Sequence, residues 1–507
     1  MSIQQLETDY LIIGSGAVGM AFADVLLAET DANIIIVDKH HKPGGHWNDA
    51  YSFVTLHQPS SFYGVSSREL CGGTIDSMGL NKGLAELASG TEIMSYYDKV
   101  MKHTFLPSGR VQYFPMCEYQ DNTQDSTHRD NAQRKEVFSS LLSDSQYEVK
   151  VNKKVIDGTY FKTSVPATHT PGFEIADGVK FGPLNDLPSL TEPCDGYVVI
   201  GGGKTGIDAV LWLLENQIDP ESITWIMPRD GWLIDRKNTQ PSRDFFVHTI
   251  GAQATQAEAI ADAKNIEDLF DRLEKGGVLM RIDPNVGPQM FHGATVSSEE
   301  IKQLRRVKNI VRKGRVTRLY TDTIYFNSDT IPTTANTMHI DCSARAVPVT
   351  ETYTVFQGNK VIVQNMRTYQ PVFSAAFIAH IEATYDDEAI KNDLCRVVPL
   401  PNHDTDWLIG VVAQMQNQMR WSKEPELRQW LVNNRLDGFT KMVQAVDEST
   451  PEQLAILMRL KAAAPKAAAN MPKLMGEVMQ IDAARRAKVP TVSKSSQPTD
   501  AASAAHA

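Results

Sequence analysis

One short arrangement constrains this chain more than any other, and it occurs twice. Residues 10–13, Tyr-Leu-Ile-Ile, form an apolar, β-rich run of the kind buried on both faces of a parallel sheet. Gly14-Ser15-Gly16-Ala17-Val18-Gly19 follows, then a helix-patterned stretch over 20–27, a second apolar run over 33–37, and Asp38. Strand, G-x-G-x-x-G, helix, strand and acid in that order specify a βαβ unit that binds a dinucleotide. Gly14 allows the tight turn, Gly16 lets the backbone approach a pyrophosphate, and Gly19 lets the helix pack close to the strand. The unpaired N–H groups and positive dipole end of that helix then face the phosphates. Asp38 stands where a carboxylate accepts hydrogen bonds from ribose hydroxyls.

The second copy begins with the apolar run 196–200. Gly201-Gly202-Gly203-Lys204-Thr205-Gly206 places glycines at 201, 203 and 206, and a helix pattern over 207–214 and a strand pattern over 222–227 follow. No acid closes this copy; Pro228 and Arg229 stand there instead. A carboxylate would repel a 2′-phosphate, whereas a guanidinium grips one with paired hydrogen bonds. The second unit is therefore expected to prefer NADPH to NADH. Lys204 and Thr205 are further candidates for phosphate contact, with a solvent-facing lysine as the alternative. Two such units set two dinucleotides face to face, the architecture for passing a hydride from a nicotinamide to a flavin. The expected fold is α/β, with two Rossmann-like dinucleotide-binding domains, the second inserted in the first.

Lys39 to Trp47 reads K-H-H-K-P-G-G-H-W. A G-G-x-W element just after the ribose acid resembles the flavin-containing monooxygenase superfamily, with its Baeyer–Villiger and N-hydroxylating relatives. The resemblance covers roughly residues 8–350. It implies FAD in the first unit, with Lys39, Gly45, His46 and Trp47 along it, and NADPH in the second. It also implies a reaction: NADPH reduces FAD, the flavin captures dioxygen as a C4a-(hydro)peroxide, and one oxygen atom passes to a small organic substrate. His57 and Gln58, within H-Q-P-S-S-F-Y, sit where the family brings a polar residue and aromatics toward the flavin ring. They are the candidate catalytic residues, with a buried structural histidine as the competing reading of His57. Val155, at the end of the strand-like run 147–155, is implied as a further FAD contact. Asp341, closing the run 338–340, is implied near the ribityl chain, a generic strand end being the alternative.

The family pattern also breaks. Residues 165–171 resemble the A-T-G-x-x-x-x-P crossing segment, but His169 replaces the glycine. The F-x-G-x-x-x-H fingerprint should precede the second glycine motif. Residues 179–186 hold adjacent Phe181 and Gly182 and no histidine. That departure favours the main alternative, a flavin dehydrogenase or reductase without oxygen insertion. A non-catalytic flavin-binding redox sensor is a third reading, against which the intact second glycine loop argues.

The expected division is 1–190 and 336–461 for the two parts of the FAD domain, 191–335 for the nicotinamide domain, and 462–507 for an Ala-rich helical or disordered tail. Residues 489–507 are read as disordered. A helical block is expected over 254–275, a capping box at Ser297 and Glu300, and a β-meander over 314–332. Phe373, Phe377, Trp407, Met415, Met419 and Trp421 either cap a lipophilic substrate cavity or pack a core. A formal charge of −11 opposes general nucleic-acid binding. No apolar run approaches the roughly 20 residues that span a bilayer, and residues 1–10 do not read as a signal peptide. The five cysteines are scattered, without C-x-x-C or C-x₄-C, which opposes disulfide-reductase chemistry and fits a reducing, cytoplasmic setting. No metal set is expected, and homo-oligomerisation is left open.

Overall fold

The computed structural model describes residues 3–121, 135–345 and 351–487. In chain order it builds β1 (Ile3–Ile13), α1 (Ala17–Glu29), β2 (Ile34–Val37), β3 (Val111–Phe114) and β4 (Gln146–Asp157). Next come β5 (Phe181–Pro183), β6 (Tyr197–Ile200), α2 (Lys204–Glu215), β7 (Ile223–Ile226), β8 (Gly231–Asp235) and α3 (Phe246–Asp262). Then follow β9 (Met290–Val296), β10 (Ile310–Val311), β11 (Met338–Asp341) and β12 (Lys360–Ile362), and finally α4 (Pro371–Thr384), α5 (Asp406–Trp421) and α6 (Pro451–Ala487).

Two parallel sheets carry the architecture. The first runs β12-β4-β1-β2-β3, every pair parallel. The second runs β5-β11-β6-β7-β10, again all parallel. Parallel strands need crossover connections and are covered on both faces, so Ile34–Val37 is buried at every position. The fold is α/β, with two Rossmann-like units and one inserted in the other. Both helices of the glycine motifs form where the spacing put them, and the capping box at Ser297 and Glu300 is present. The expected meander appears as Val316–Leu319, Thr323–Phe326 and Thr330–Pro332, paired antiparallel. The helical block is two helices, the second starting at Ile266 beneath an Asn265 cap.

β11 lies between β5 and β6, so Asp341 still belongs to the second sheet. The strands of the second sheet thus come from Phe181 to Asp341, while the inserted unit was expected over 191–335. The chain re-enters the first sheet with Phe356–Gln357, which pairs antiparallel with β12, and β12 in turn pairs with β4. The two crossing segments meet, with the Ser343 hydroxyl 3.4 Å from His169 Nε2. His169 has φ −89°, so its place in the crossing segment needs no glycine.

Returning through β12, the chain forms α4, which packs on α1 and is buried along most of its length. Phe373, Phe377 and Trp421 belong to the core around α1. Trp407 packs in a separate core with Trp232 and Phe270, and Met419 is exposed. These aromatics pack in the two cores. α6 lies along α3 and includes residues 462–487; the tail expected over 489–507 lies outside the described residues. No helix among the described residues is long and apolar enough to cross a membrane.

Candidate functional site

Both glycine loops sit at the carboxyl ends of central parallel strands, where open α/β sheets bind ligands. Each shows the same close packing. A Cβ on Gly19 would lie 1.9 Å from the Gly14 carbonyl oxygen, and one on Gly206 would lie 2.1 Å from that of Gly201. No side chain fits at either third glycine, so each helix is locked against its own turn. Gly203, by contrast, faces open space.

At the first loop, Gly45 lies on Gly16: a Cβ on Gly45 would approach the Gly16 Cα to 2.9 Å, and its φ is +57°. The Gly44 N–H donates to the Ser15 carbonyl at 3.0 Å. The G-G-x-W element is thus the second wall of the glycine loop. Asp38 is buried, and Oδ2 accepts from the Ser15 N–H (2.5 Å) and hydroxyl (2.8 Å). Oδ1 accepts from the His40 N–H (2.8 Å) and lies 2.9 Å from His40 Nδ1. Burial alone would raise the Asp38 carboxyl, but the bonds from His40 and Ser15 outweigh it and hold it below its ordinary value. The His40 imidazole is raised, first by its hydrogen bond to Asp38, and its Nε2 lies 3.1 Å from Asp49. Lys39 beside it is exposed. Trp47 Nε1 donates to the Tyr63 hydroxyl at 2.8 Å, and the two rings meet edge to face. His46 is partly accessible, yet burial pulls its imidazole down to about 4.

Val155 and Asp341, both expected at FAD, have partners within the protein. Val155 is a core residue packed with Leu11, Ile35 and Val37, and its N–H is taken by the Asn359 carbonyl. Asp341 is on the second sheet, and its Oδ1 accepts from the Ser343 N–H and hydroxyl. The segment that does return to the carboxyl edge of the first sheet is 363–370, after β12, and no sequence motif pointed to it. It is held from behind: Met366 N–H donates to Ser374 Oγ, and Arg367 pairs with Asp437 at 2.5 Å. Yet Asn365 Oδ1, Tyr369 OH and Gln370 Oε1 are buried without partners, as are Asn48 Oδ1 after the G-G-x-W element and Ser61 Oγ. Buried polar atoms are normally satisfied, so these orphans mark surfaces suited to a polar ligand. The helices starting at Ala17, Lys204 and Pro371 also lack side-chain caps. Those starting at Gly90, Ile266 and Ser298 receive caps from Ser89, Asn265 and Ser297. Uncapped N–H groups at both glycine loops fit phosphate oxygens, so the donor set suits a dinucleotide at each.

At the second loop Lys204 is committed: its ammonium donates to Asp208 one helical turn on, and Asp208 also accepts from the Tyr51 hydroxyl at 2.6 Å. Thr205 is the second residue of α2 and makes no side-chain hydrogen bond among the described residues. Arg229, just past the end of β7, is half-buried, and its Nη2 donates to Asn402 Oδ1 at 3.1 Å. Burial and the nearby charges of Arg345 and Arg315 hold its guanidinium below its ordinary value.

His57 and Gln58 lie in a seam between the units. Arg236, 1% exposed, donates from Nε to the His57 carbonyl (3.1 Å) and from Nη1 to Asn81 Oδ1 (3.1 Å), and pairs with Glu300 at 2.8 Å. Phe53 stacks on Trp212 of α2. Burial, with the charges of Lys204 and Arg236 beside it, pulls the His57 imidazole down to about 3. His57 therefore carries a neutral ring on a backbone whose carbonyl Arg236 holds. Gln58 is partly buried. Among the described residues no cluster of His, Cys, Asp and Glu could hold a metal, and all five cysteines are unpaired.

Residues 12–56, which hold the first glycine loop, Asp38 and the G-G-x-W element, match the family described as NAD(P)-binding Rossmann-like domain. A double mutant of a flavin monooxygenase from Stenotrophomonas maltophilia superposes with a TM-score of 0.43 at 13% identity, over 75% of this chain and 100% of its own. A bacillithiol disulfide reductase from Staphylococcus aureus gives 0.41 at 12%, over 74% and 98%. Likeness this distant speaks to neither substrate nor reaction. A much nearer relative carries no assigned activity: at 45% identity over 432 residues, 85% of this chain and 78% of its relative, the chain belongs to the family of the uncharacterized protein Rv2000 of Mycobacterium tuberculosis (strain ATCC 25618 / H37Rv).

Proposed function

We propose that this chain is an FAD- and NADPH-dependent oxidoreductase and, within that class, a monooxygenase acting on a small organic substrate with dioxygen. One observation carries the reading. Two glycine loops open helices at the carboxyl edges of two parallel sheets, one followed by a buried carboxylate and the other by arginines. FAD, when bound, accepts a hydride from the nicotinamide and delivers its electrons to dioxygen.

The chain's own residues do the rest. Gly14, Gly16 and Gly19 bring the N-terminal amides of α1 to the pyrophosphate, and Asp38, held ionised, accepts from the adenosine ribose. Asn365, Tyr369 and Gln370 supply the unpartnered polar atoms that a flavin's polar edge would satisfy. Gly201, Gly203 and Gly206 repeat the cradle for NADPH, and Arg229 takes the 2′-phosphate. Lys204 acts on the phosphates only through the field of a cation already paired with Asp208. His57, neutral, exchanges a hydrogen bond without placing a charge beside the reacting ring, and the bonded pair Trp47–Tyr63 walls the site from water.

A second reading, reduction without oxygen transfer, rests on residues 179–186. Phe181 and Gly182 lie on the edge strand β5, with no histidine in the expected place. Turnover under ¹⁸O₂ with a panel of amines, sulfides and ketones separates the two. The monooxygenase reading expects one labelled oxygen atom in the product for each NADPH consumed. Hydrogen peroxide alone, equal to the NADPH consumed for every compound, would leave the reductase reading.

A further inference from the structure

The arginines at the second site have an unusual partner. Arg229 follows β7, Arg315 follows β10 and Arg345 follows β11, so all three leave the same carboxyl edge of one sheet that presents the glycine loop. Among the described residues none of the three has a carboxylate within ion-pair distance, although the charge of Asp404 acts on Arg229 from further away. Their neighbours do: Arg312 is bonded by both oxygens of Asp230 and by Asp283, and Arg485 pairs with Asp404 and Asp482. What Arg229 and Arg345 share is one amide oxygen. Asn402 Oδ1 accepts from Arg229 Nη2 (3.1 Å) and Arg345 Nη2 (2.6 Å) and lies 3.3 Å from His292 Nε2. Asn402 comes from the segment before α5, outside the inserted unit, and is itself fixed. Its N–H and that of His403 donate to Asp406 at 2.7 and 2.8 Å, and His403 bridges to Met290 at the start of β9.

We propose that Asn402 is a positioning residue for nucleotide selectivity, its side-chain carbonyl gathering Arg229 and Arg345 into a receptor for a 2′-phosphomonoester. This rests on the reading of the second unit as a nicotinamide-dinucleotide site. The amide is the informative choice. Two half-buried guanidiniums repel each other and spread unless an acceptor holds them. A carboxylate would hold them but also neutralise them, competing with the ligand. An amide oxygen orients the donors and leaves both positive charges for the phosphate. Selectivity then depends on the C-terminal part of the chain as well as on the nucleotide-binding sheet.

The test compares the FAD-loaded full chain with Asn402→Asp and Asn402→Ser, measuring flavin reduction by NADPH and NADH, with FAD content and thermal midpoint as folding controls. The new carboxylate of Asn402→Asp is expected to raise KM for NADPH on the order of 10- to 100-fold. The limiting reduction rate and the KM for NADH stay within about twofold, since neither the nicotinamide nor the glycine loop is touched. Asn402→Ser, which loses the shared acceptor without adding charge, is expected to shift the same ratio less. An unchanged NADPH-to-NADH ratio in both variants, or equal losses with both nucleotides, overturns the proposal while leaving the second site standing. A parent chain that uses NADH as readily as NADPH overturns the underlying reading.

Discussion

Arg236→Met probes the seam that joins the two units. Arg236 is 1% exposed, and its guanidinium bonds the His57 carbonyl and Asn81 of the first unit and the Thr295 carbonyl and Glu300 of the second. Gln240 and Ser297 extend the latch by bonding Ala85 N–H and the Leu80 carbonyl. Methionine keeps the length and removes every donor. Glu300 keeps only its bonds within the capping box and stays buried without its cation, while two carbonyls and one amide oxygen lose their donor. Breaking a buried pair by removing one partner costs about 3–5 kcal/mol, a large share of a typical folding stability of about 5–15 kcal/mol. Glu300→Gln, which keeps an acceptor, should cost less, about 1–3 kcal/mol. The double variant Arg236→Met/Glu300→Gln leaves no charge buried and should fall short of the summed single effects by about 0.5–3 kcal/mol. Urea unfolding of the FAD-loaded chain, followed by tryptophan fluorescence, reads all three. An Arg236→Met variant with the parent's midpoint and slope would refute the latch.

The locked helix turns make a second prediction: Gly19→Ala places a methyl carbon 1.9 Å from the Gly14 carbonyl oxygen, so the purified variant should have lost nearly all bound FAD, read from its visible spectrum. His57, drawn down to about 3, stays neutral from pH 5 to 9. The pH profile of flavin reduction should therefore keep its shape in His57→Asn, and an inflection near neutrality that vanishes in that variant would contradict the assignment. The Asp38–His40 pair should be felt in stability. Asp38, lowered from an ordinary 3.8, contributes above that value and loses its contribution as pH falls through the lowered one. His40, raised from 6.5, contributes fully below 6.5 and loses its contribution as pH rises through the raised value. The denaturation midpoint should thus sag as pH rises past 6.5 through the raised value in the parent, and His40→Ala should flatten that limb.

What could be read in the sequence was local. Gly19 and Gly206 act through contacts with Gly14 and Gly201 a few residues away, so their spacing alone revealed the turns and helix starts. The capping box at Ser297 and the meander after Gly314 are local in the same way. The Lys204–Asp208 pair was equally accessible, because lysine and aspartate four residues apart on a helix face each other. Asp341 could not be placed, because an apolar strand ending in an acid looks the same in either sheet, and only pairing with β5 and β6 assigns it. Val155 has the same ambiguity, since a buried strand carries no alternation to say which residue faces a ligand. Residues 365–370 carry no motif; only their orphaned polar atoms distinguish them. Arg229 was visible at the end of its strand, but Arg345 and Asn402, far along the chain, reach it only through the fold.

Whether two dinucleotides meet on this chain is settled most simply by anaerobic mixing of the FAD-loaded protein with each nicotinamide nucleotide. The expected result is a yellow protein whose flavin absorbance is bleached by NADPH much faster than by equal NADH, with Arg229→Ala losing most of that preference. A flavoprotein that neither nucleotide bleaches would contradict it, leaving the first site intact and the second without the role assigned here.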